Sequence, residues 1–189
     1  MQESSLATFL PLIVMTGLTC AIALWIKKAA SKYPPAAPEL YHASNFGGWL
    51  LFLTICLIFF GPLINLSQIT SAFETIESQY SDISLMEQWT EYKSATWATF
   101  FVTSSLSIHA GYELISKRSK LAIKRAITVI WLIGPLAGII FGAILPMLAF
   151  GEINIDSDSS LSIFISILFS SFWTLYLNKS KRVKSIYGY

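Results

Sequence analysis

The sequence predicts an all-α membrane protein, a five-helix transmembrane bundle with a short amphipathic outer helix between spans two and three. Of the 189 residues, 54% are hydrophobic and only 13% are charged, which is too apolar for an ordinary soluble domain of this size. Five apolar runs approach the length of about 20 residues that a helix needs to cross a bilayer. The sign of the charge between these runs also alternates along the chain.

Each apolar run is expected to be a helix, because only a helix satisfies its own backbone donors and acceptors within hydrocarbon. A barrel would need many segments of about ten residues with alternating polarity, and the sequence lacks that pattern. The first run is interpreted as a span and not as a signal peptide, since its lysines follow the apolar stretch instead of preceding it. The predicted spans are residues 6–26, 48–69, 96–115, 126–149 and 161–177.

The basic residues predict the orientation of the chain. Twelve of the 13 lysines and arginines follow the first, third and fifth runs, and Lys93 is the exception. The positive-inside rule then places the N-terminus outside and the C-terminus in the cytoplasm. The twelve residues are Lys27, Lys28, Lys32, Lys117, Arg118, Lys120, Lys124, Arg125, Lys179, Lys181, Arg182 and Lys184.

Two connecting segments have a distinct character. Residues 29–46 include YPPAAPEL, whose three prolines oppose helix and favour an extended cytoplasmic linker. Residues 71–95 place apolar side chains at near-helical spacing among acids, which predicts the amphipathic outer helix, lying near the membrane or capping the bundle. Those apolar side chains are Ala72, Phe73, Ile76, Tyr80 and Ile83.

Composition argues against several classes of ligand. Cys20 and Cys56 both lie inside apolar runs and lack the paired spacing of a zinc site, so we expect no disulfide, metal or cofactor. The net charge of +2 is too small to indicate nucleic acid. We expect the basic clusters to hold anionic lipid headgroups, worth about 1 kcal/mol per basic residue near the surface.

His109 and Glu113 are the ionisable pair of the third run, and their spacing of four residues puts both on one helical face with Ser105. Two interpretations stay open. In the structural one, neutral His109 forms a hydrogen bond across helices while Glu113 pairs with Lys117 at the cytoplasmic end. In the functional one, the pair relays protons or holds an ion. A catalytic zinc site is not expected, because HAGYE is not the HExxH pattern and His42, the other histidine, lies elsewhere.

Small residues form stripes in the last two runs. Gly134, Gly138 and Gly142 recur every four residues, a spacing that lets another helix approach closely, within this chain or in a partner. Pro135 and Pro146 are expected to bend or end that helix. In the fifth run the hydroxyl residues also recur every four positions, which favours contacts between helices or, alternatively, a solvated pathway. They are Ser162, Ser166, Ser170 and Thr174.

Two motifs resemble the ends of the bacterial membrane-protein family catalogued as domain of unknown function 2569. NFGGWLLF opens the second run at residues 45–52, and FWTLYLNKSKRVKSIYG closes the fifth at residues 172–188. The matching residues are Gly47, Gly48, Trp49, Trp173, Tyr176, Ser180, Arg182, Val183 and Lys184.

The resemblance implies a four-span domain at residues 45–189 in the bacterial inner membrane, preceded by an extra span and linker at residues 1–44. The segment after the third run departs from the family pattern, since it lacks the expected aromatic and proline residues. The family has no established activity, so the resemblance supplies no catalytic residues.

The sequence therefore predicts an integral inner-membrane protein that is not an enzyme, since no nucleophile, base and orienting group can be named together. The expected role is an accessory or scaffolding subunit that uses the glycine stripe to dock a second copy or another membrane protein. The alternative is a small proton-coupled transporter or channel that uses His109, Glu113 and the hydroxyls of the fifth run.

Overall fold

The computed structural model describes residues 3–33, 36, 46–151 and 157–188, and every regular element in this part of the chain is a helix. A 3-10 turn, Ser81–Leu85, joins the second helix to the third. The helices are α1 (Glu3–Ala30), α2 (Trp49–Gln79), α3 (Glu87–Ser116), α4 (Lys120–Phe150), α5 (Ser157–Lys179) and the short α6 (Lys181–Tyr187).

Three of the predicted spans fall within helices that are long and apolar enough to cross a membrane: α2, α4 and the part of α5 from Ser160 to Lys179. The all-helical class is thereby confirmed. That α1 and α3 also cross the membrane stays a prediction. The proline-rich linker and His42 lie largely or wholly outside the described residues.

The predicted outer helix does not form a separate element. Residues 71–79 complete α2, and residues 87–95 begin α3, with only the 3-10 turn between them. No glycine or proline lies between Pro62 and Gly111, so nothing local ends α2 at the membrane boundary. Of the apolar side chains in this segment, Phe73 is buried against the rings of Trp89 and Tyr92 at the start of α3, whereas Ala72 and Tyr80 are exposed.

Three π turns interrupt the α-helical pattern of α2 and α4, and each contains or closely precedes a proline. Proline lacks an N–H and its ring clashes with the carbonyl four residues earlier, and a wider turn relieves that clash. Pro62, Pro135 and Pro146 are accommodated in this way. The π turns are Cys56–Phe60, Leu132–Leu136 and Ile140–Ile144.

Of the two effects predicted for these prolines, bending or ending the fourth helix, the second does not occur. α4 continues through Pro135 and Pro146 to Phe150 and ends at Gly151, which adopts the left-handed conformation with φ of 75°. Glycine takes up that conformation without the strain of a Cβ.

The main core lies at the end of the bundle where the basic residues cluster, which we call the basic end. Here the end of α1 packs on α2 and α3, the hairpin of α3 and α4 closes, and α6 folds back onto the bundle. Its largest fully buried side chains are Ile26, Leu50, Leu53, Leu114, Ile123, Trp173, Leu177, Val183, Ile186 and Tyr187.

Candidate functional site: Glu113 and the basic end

Glu113 lies in the last turn of α3, and its side chain is 2% exposed. Its Oε1 accepts hydrogen bonds from Lys117 Nζ and from Arg125 Nη1, the latter at 2.8 Å. Lys117 follows on the same face of α3, whereas Arg125 belongs to α4, so the carboxylate ties the two helices together. Glu113 Oε2 is also buried, and it finds no hydrogen-bond partner within the described part of the chain.

His109 lies one turn before Glu113, with its Nε2 3.6 Å from Glu113 Oε1 and its side chain 67% exposed. The distance is too long for a direct hydrogen bond but close enough for electrostatic contact. Ser105 is exposed a further turn away. The structure thus brings His109 and Glu113 together and leaves Ser105 about 12 Å from the carboxylate along the helix axis.

Arg118 holds three elements together just beyond α3. Its guanidinium donates to the carbonyls of Leu114 (3.3 Å) and Ala30 (3.2 Å). It also lies over the rings of Phe46 and Tyr187, at 4.9 and 5.7 Å from their centroids. Burial lowers the pKa of Arg118 from its usual value, while the charge interaction and hydrogen bond with Tyr187 act in the opposite direction. Arginine nevertheless keeps its proton in proteins, so a cation is held between two rings.

The sequence did not single out Arg118, because a basic residue after a span is normally assigned to lipid headgroups. Tyr187 was missed for a similar reason, since it lies in a polar tail. Its hydroxyl donates to Leu114 O at 2.6 Å. The sequence signal for this contact is the apolar character of positions 183, 186 and 187, since these residues form one face of the short amphipathic helix α6.

The two motifs that resemble the family, at residues 45–52 and 172–188, lie against each other in the structure, and we call their matching residues the signature residues. Gly48 has a φ of 63°, and a Cβ there would lie 2.9 Å from Arg182 Nη1. Trp49 and Trp173 make an edge contact at 6.2 Å, and Trp173 contacts Tyr176 in the same way at 5.6 Å. These contacts join the start of α2 to the end of α5.

The remaining signature residues lie in α6 and in the segments that precede α6 and α2. Ser180 caps α6, since its Oγ accepts from Val183 N at 3.5 Å. Val183 is fully buried, Gly47 is buried, and Lys184 is exposed. The signature residues therefore position helices at the basic end.

The glycine stripe faces α5 of the same chain. A Cβ at Gly134 would lie 3.0 Å from Ser170 Oγ, and one at Gly138 would lie 3.3 Å from Ile163 Cγ1. Gly142 is half-buried in the second π turn of α4. The face at Gly134 and Gly138 is already covered, so the docking role suggested by the sequence is not retained for it.

The hydroxyl stripe of α5 takes part in the same contact. Ser170 Oγ donates to Ile130 O at 3.4 Å, and Thr174 Oγ1 accepts from Trp131 Nε1 at 3.1 Å. Ser166 bonds within its own helix and Ser162 is exposed. Two of the four hydroxyls thus bind α4, as helix contacts require.

Ser107 and Gly111 form a close helix contact that the sequence reasoning missed. Ser107 Oγ donates to Leu57 O at 2.6 Å, within the π turn of α2. A Cβ at Gly111 would lie only 2.5 Å from Ile58 Cγ1. The sequence did contain a signal for this contact, because Ser107 and Gly111 are small residues four positions apart, the same spacing as in the glycine stripe of α4.

The hairpin of α2 and α3 is braced near its tip. Glu77 accepts hydrogen bonds from Trp89 Nε1 at 2.8 Å and from Lys93 Nζ at 2.7 Å. The rings of Phe73 and Trp89 meet at 5.6 Å, and Trp89 stacks on Tyr92 at 5.5 Å. These contacts hold the two helices together beyond the predicted spans.

In the described part of the chain, no three His, Cys, Asp or Glu side chains cluster closely enough to hold a metal ion. The arrangement consists of ion pairs, ring contacts and small-residue crossings that fix helices relative to one another. With three helices long and apolar enough to cross a membrane, it indicates an all-helical membrane protein.

Residues 43–188 match the model of the family described as "Protein of unknown function (DUF2569)", and the chain belongs to this family. The resemblance expected from the two motifs is thereby confirmed. No curated protein and no solved structure matches the chain. The family therefore supplies no activity, and the function has to be inferred from the geometry.

Proposed function

We propose that the protein is a non-enzymatic accessory or scaffolding subunit of a bacterial inner-membrane complex, and that the tip of the α2–α3 hairpin contacts its partner. The observation that carries this proposal is an exposed apolar tip on a braced hairpin. The tip consists of Tyr80, Leu85 and Met86, all exposed, and Leu85 is 86% exposed.

The hairpin is longer than a bilayer requires. α2 has 31 residues and α3 has 30, so each measures about 45 Å at 1.5 Å per residue. The hydrocarbon core is about 30 Å thick. If the basic end lies at the cytoplasmic surface, the tip extends roughly 15 Å beyond the hydrocarbon on the opposite side.

An apolar tip in water favours a protein contact, since clustered exposed apolar side chains commonly mark interaction surfaces. Asp82 and Glu87 flank it and are also exposed. The complementary partner is therefore a membrane protein with an apolar patch bordered by basic residues outside the membrane. The bracing at Glu77 limits the ordering that binding would require.

A photo-crosslinking amino acid at Leu85 in intact cells tests the contact. We expect a discrete protein adduct at Leu85 and none at Asn178, an exposed control position at the basic end. The double substitution Leu85→Asp and Met86→Asp should abolish the adduct formed from Tyr80 while leaving the amount of folded protein unchanged. An adduct with lipid alone, or the same products from both ends, would contradict the proposal.

The proposed orientation places the N-terminus outside and the C-terminus in the cytoplasm, with anionic headgroups at the basic end. Support comes from the clustering of the basic residues at one end of the helices. A cysteine at Ser185, which is partly exposed beside Arg182, should resist an impermeant thiol reagent in spheroplasts. Labelling there before lysis would mean that the orientation is inverted.

A proton-coupled transporter or channel is the second candidate, and the proximity of exposed His109 to buried Glu113 favours it. Reconstituted protein would then conduct protons or a solute, and His109→Ala combined with Glu113→Gln would stop the flux. Absence of flux, or flux that survives both changes, would leave the subunit role as the proposed function.

A further inference from the structure

We propose that α4 carries a binding site for one anionic phospholipid, with an acyl chain in an apolar groove and the headgroup phosphate beside Lys120 and Lys124. The inference depends on the placement of α4 in a membrane and is independent of the proposed subunit role. It assigns a ligand to one defined surface, whereas the positive-inside pattern concerns only the average position of charge.

The groove runs along α4 from Ile127 to Ile139 and has a volume of about 520 Å³. All seven lining residues belong to α4, so the groove is open on the side away from this helix. Its length along the helix is about 18 Å at 1.5 Å per residue. A single leaflet contributes about 15 Å of hydrocarbon, so the groove matches the length over which one acyl chain contacts protein.

Two structural features fix the shape of the groove. The π turn Leu132–Leu136 lies at its centre, where Pro135 is buried and Leu132 and Leu136 are exposed. Trp131, a lining residue, is held by its Nε1 hydrogen bond to Thr174. A preformed surface of this kind needs little ordering when a chain binds.

The headgroup end of the groove is basic. Lys124 lies one turn before the lining residue Thr128, whose hydroxyl donates to the Lys124 carbonyl at 3.1 Å. Lys120 lies one turn further, and both lysine residues are exposed. The positive charge thus lies where α4 leaves the predicted hydrocarbon, at the level of lipid phosphates.

Charge complementarity selects an anionic lipid over a zwitterionic one. A basic residue near the surface contributes about a fivefold preference for anionic lipid, so the two lysines together contribute a preference of up to about 25-fold. An acyl chain alone would bind the groove without this preference.

Native mass spectrometry of the full-length protein, delipidated in detergent, tests the site. The probes are phosphatidylglycerol and phosphatidylcholine with identical acyl chains. We expect one phosphatidylglycerol to be retained per protein, with an affinity at least tenfold above that of phosphatidylcholine. Equal affinities, or no retained lipid, would overturn the proposal.

Two double variants with the same change of charge separate a site from general attraction. Lys120→Gln with Lys124→Gln should remove the preference for phosphatidylglycerol. Lys179→Gln with Lys181→Gln removes two exposed charges from α5 and α6, which contribute no residue to the groove lining, and should leave the preference intact. Equal losses in both variants would show diffuse attraction and contradict the site.

Leu136→Trp tests the groove itself, since Leu136 is an exposed lining residue whose enlargement fills the space. This change should lower the affinity for both lipids by a similar factor and leave the ratio of the two affinities unchanged. Circular dichroism and the thermal transition of each variant check that the fold is kept. Unchanged binding of both lipids by a folded Leu136→Trp variant would overturn the placement of the acyl chain.

Discussion

Gly111→Ala is expected to destabilise the contact between α2 and α3. The new Cβ would lie 2.5 Å from Ile58 Cγ1, 3.1 Å from Ile58 Cδ1 and 3.4 Å from Leu57 Cβ. The first distance is well inside carbon van der Waals contact at about 3.5–4.0 Å. Because Cγ1 is attached directly to the Cβ of Ile58, the isoleucine cannot move aside by rotating only its end. Either its rotamer changes or the helices separate.

The expected loss of unfolding free energy is about 1–3 kcal/mol. Overpacking a well-packed contact typically costs about that much. Separation of the helices would also stretch the 2.6 Å hydrogen bond from Ser107 to Leu57, a contribution of up to about 1 kcal/mol. The better helix propensity of alanine offsets this by a similar amount, about 1 kcal/mol. The clash therefore decides the sign.

Reversible unfolding in detergent micelles measures the effect, and Gly17→Ala is the matched control. Gly17 is also helical, yet a Cβ there would meet no atom within 4 Å. The stability of the Gly17→Ala protein should therefore stay the same or rise slightly. Combining Gly111→Ala with Ile58→Ala should restore part of the loss, with a coupling free energy above about 0.5 kcal/mol. A Gly111→Ala protein as stable as the parent, or additive effects of the two changes, would refute the clash.

Three further changes test the basic end. Glu113→Gln should lower the unfolding free energy by about 1–3 kcal/mol. This loss is smaller than for a fully buried ion pair, because the cationic partners of Glu113 are half-exposed. Glu87→Gln, at an exposed position, is the control, and equal stability of the two variants would contradict the ion-pair role of Glu113. Tyr187→Phe removes the hydrogen bond to Leu114 O, so α6 should lose about 1 kcal/mol of protection in hydrogen exchange, and unchanged exchange would argue against that bond. Gly48→Ala should lower the thermal transition, since φ of 63° with ψ of −138° is a conformation that a residue with a Cβ adopts at a cost of about 1–3 kcal/mol, and an unaltered transition would contradict this strain.

The helices were predictable because hydrocarbon imposes a length and an apolar composition that can be read directly from the sequence. The outer helix was not, since its apolar periodicity fits a separate surface helix as well as the facing sides of a hairpin. Only the missing helix breaker between Pro62 and Gly111 distinguished these cases.

At the candidate site, the pairing of Glu113 with Lys117 followed from their spacing, because residues four apart share one face of a helix. The contribution of Arg125 did not, since it depends on how closely α4 returns along α3. Arg118 illustrates the same limit, because a partly buried arginine stacked on rings and an arginine in contact with lipid have the same sequence pattern. Such partners depend on the angle and distance between helices, which a sequence pattern leaves undetermined.

The two ends of the bundle are held by different interactions, and this makes the two proposals separable. The basic end contains the main core and the contacts of Arg118, and the proposed lipid groove begins there. The opposite end of the hairpin is braced by Glu77 and its neighbouring rings. Substitutions at Leu85 should therefore abolish the partner contact without altering lipid selectivity, and substitutions at Lys124 should do the reverse. Loss of both properties from either change would mean that the bundle responds as one cooperative unit, in which contacts at one end shift the helices at the other.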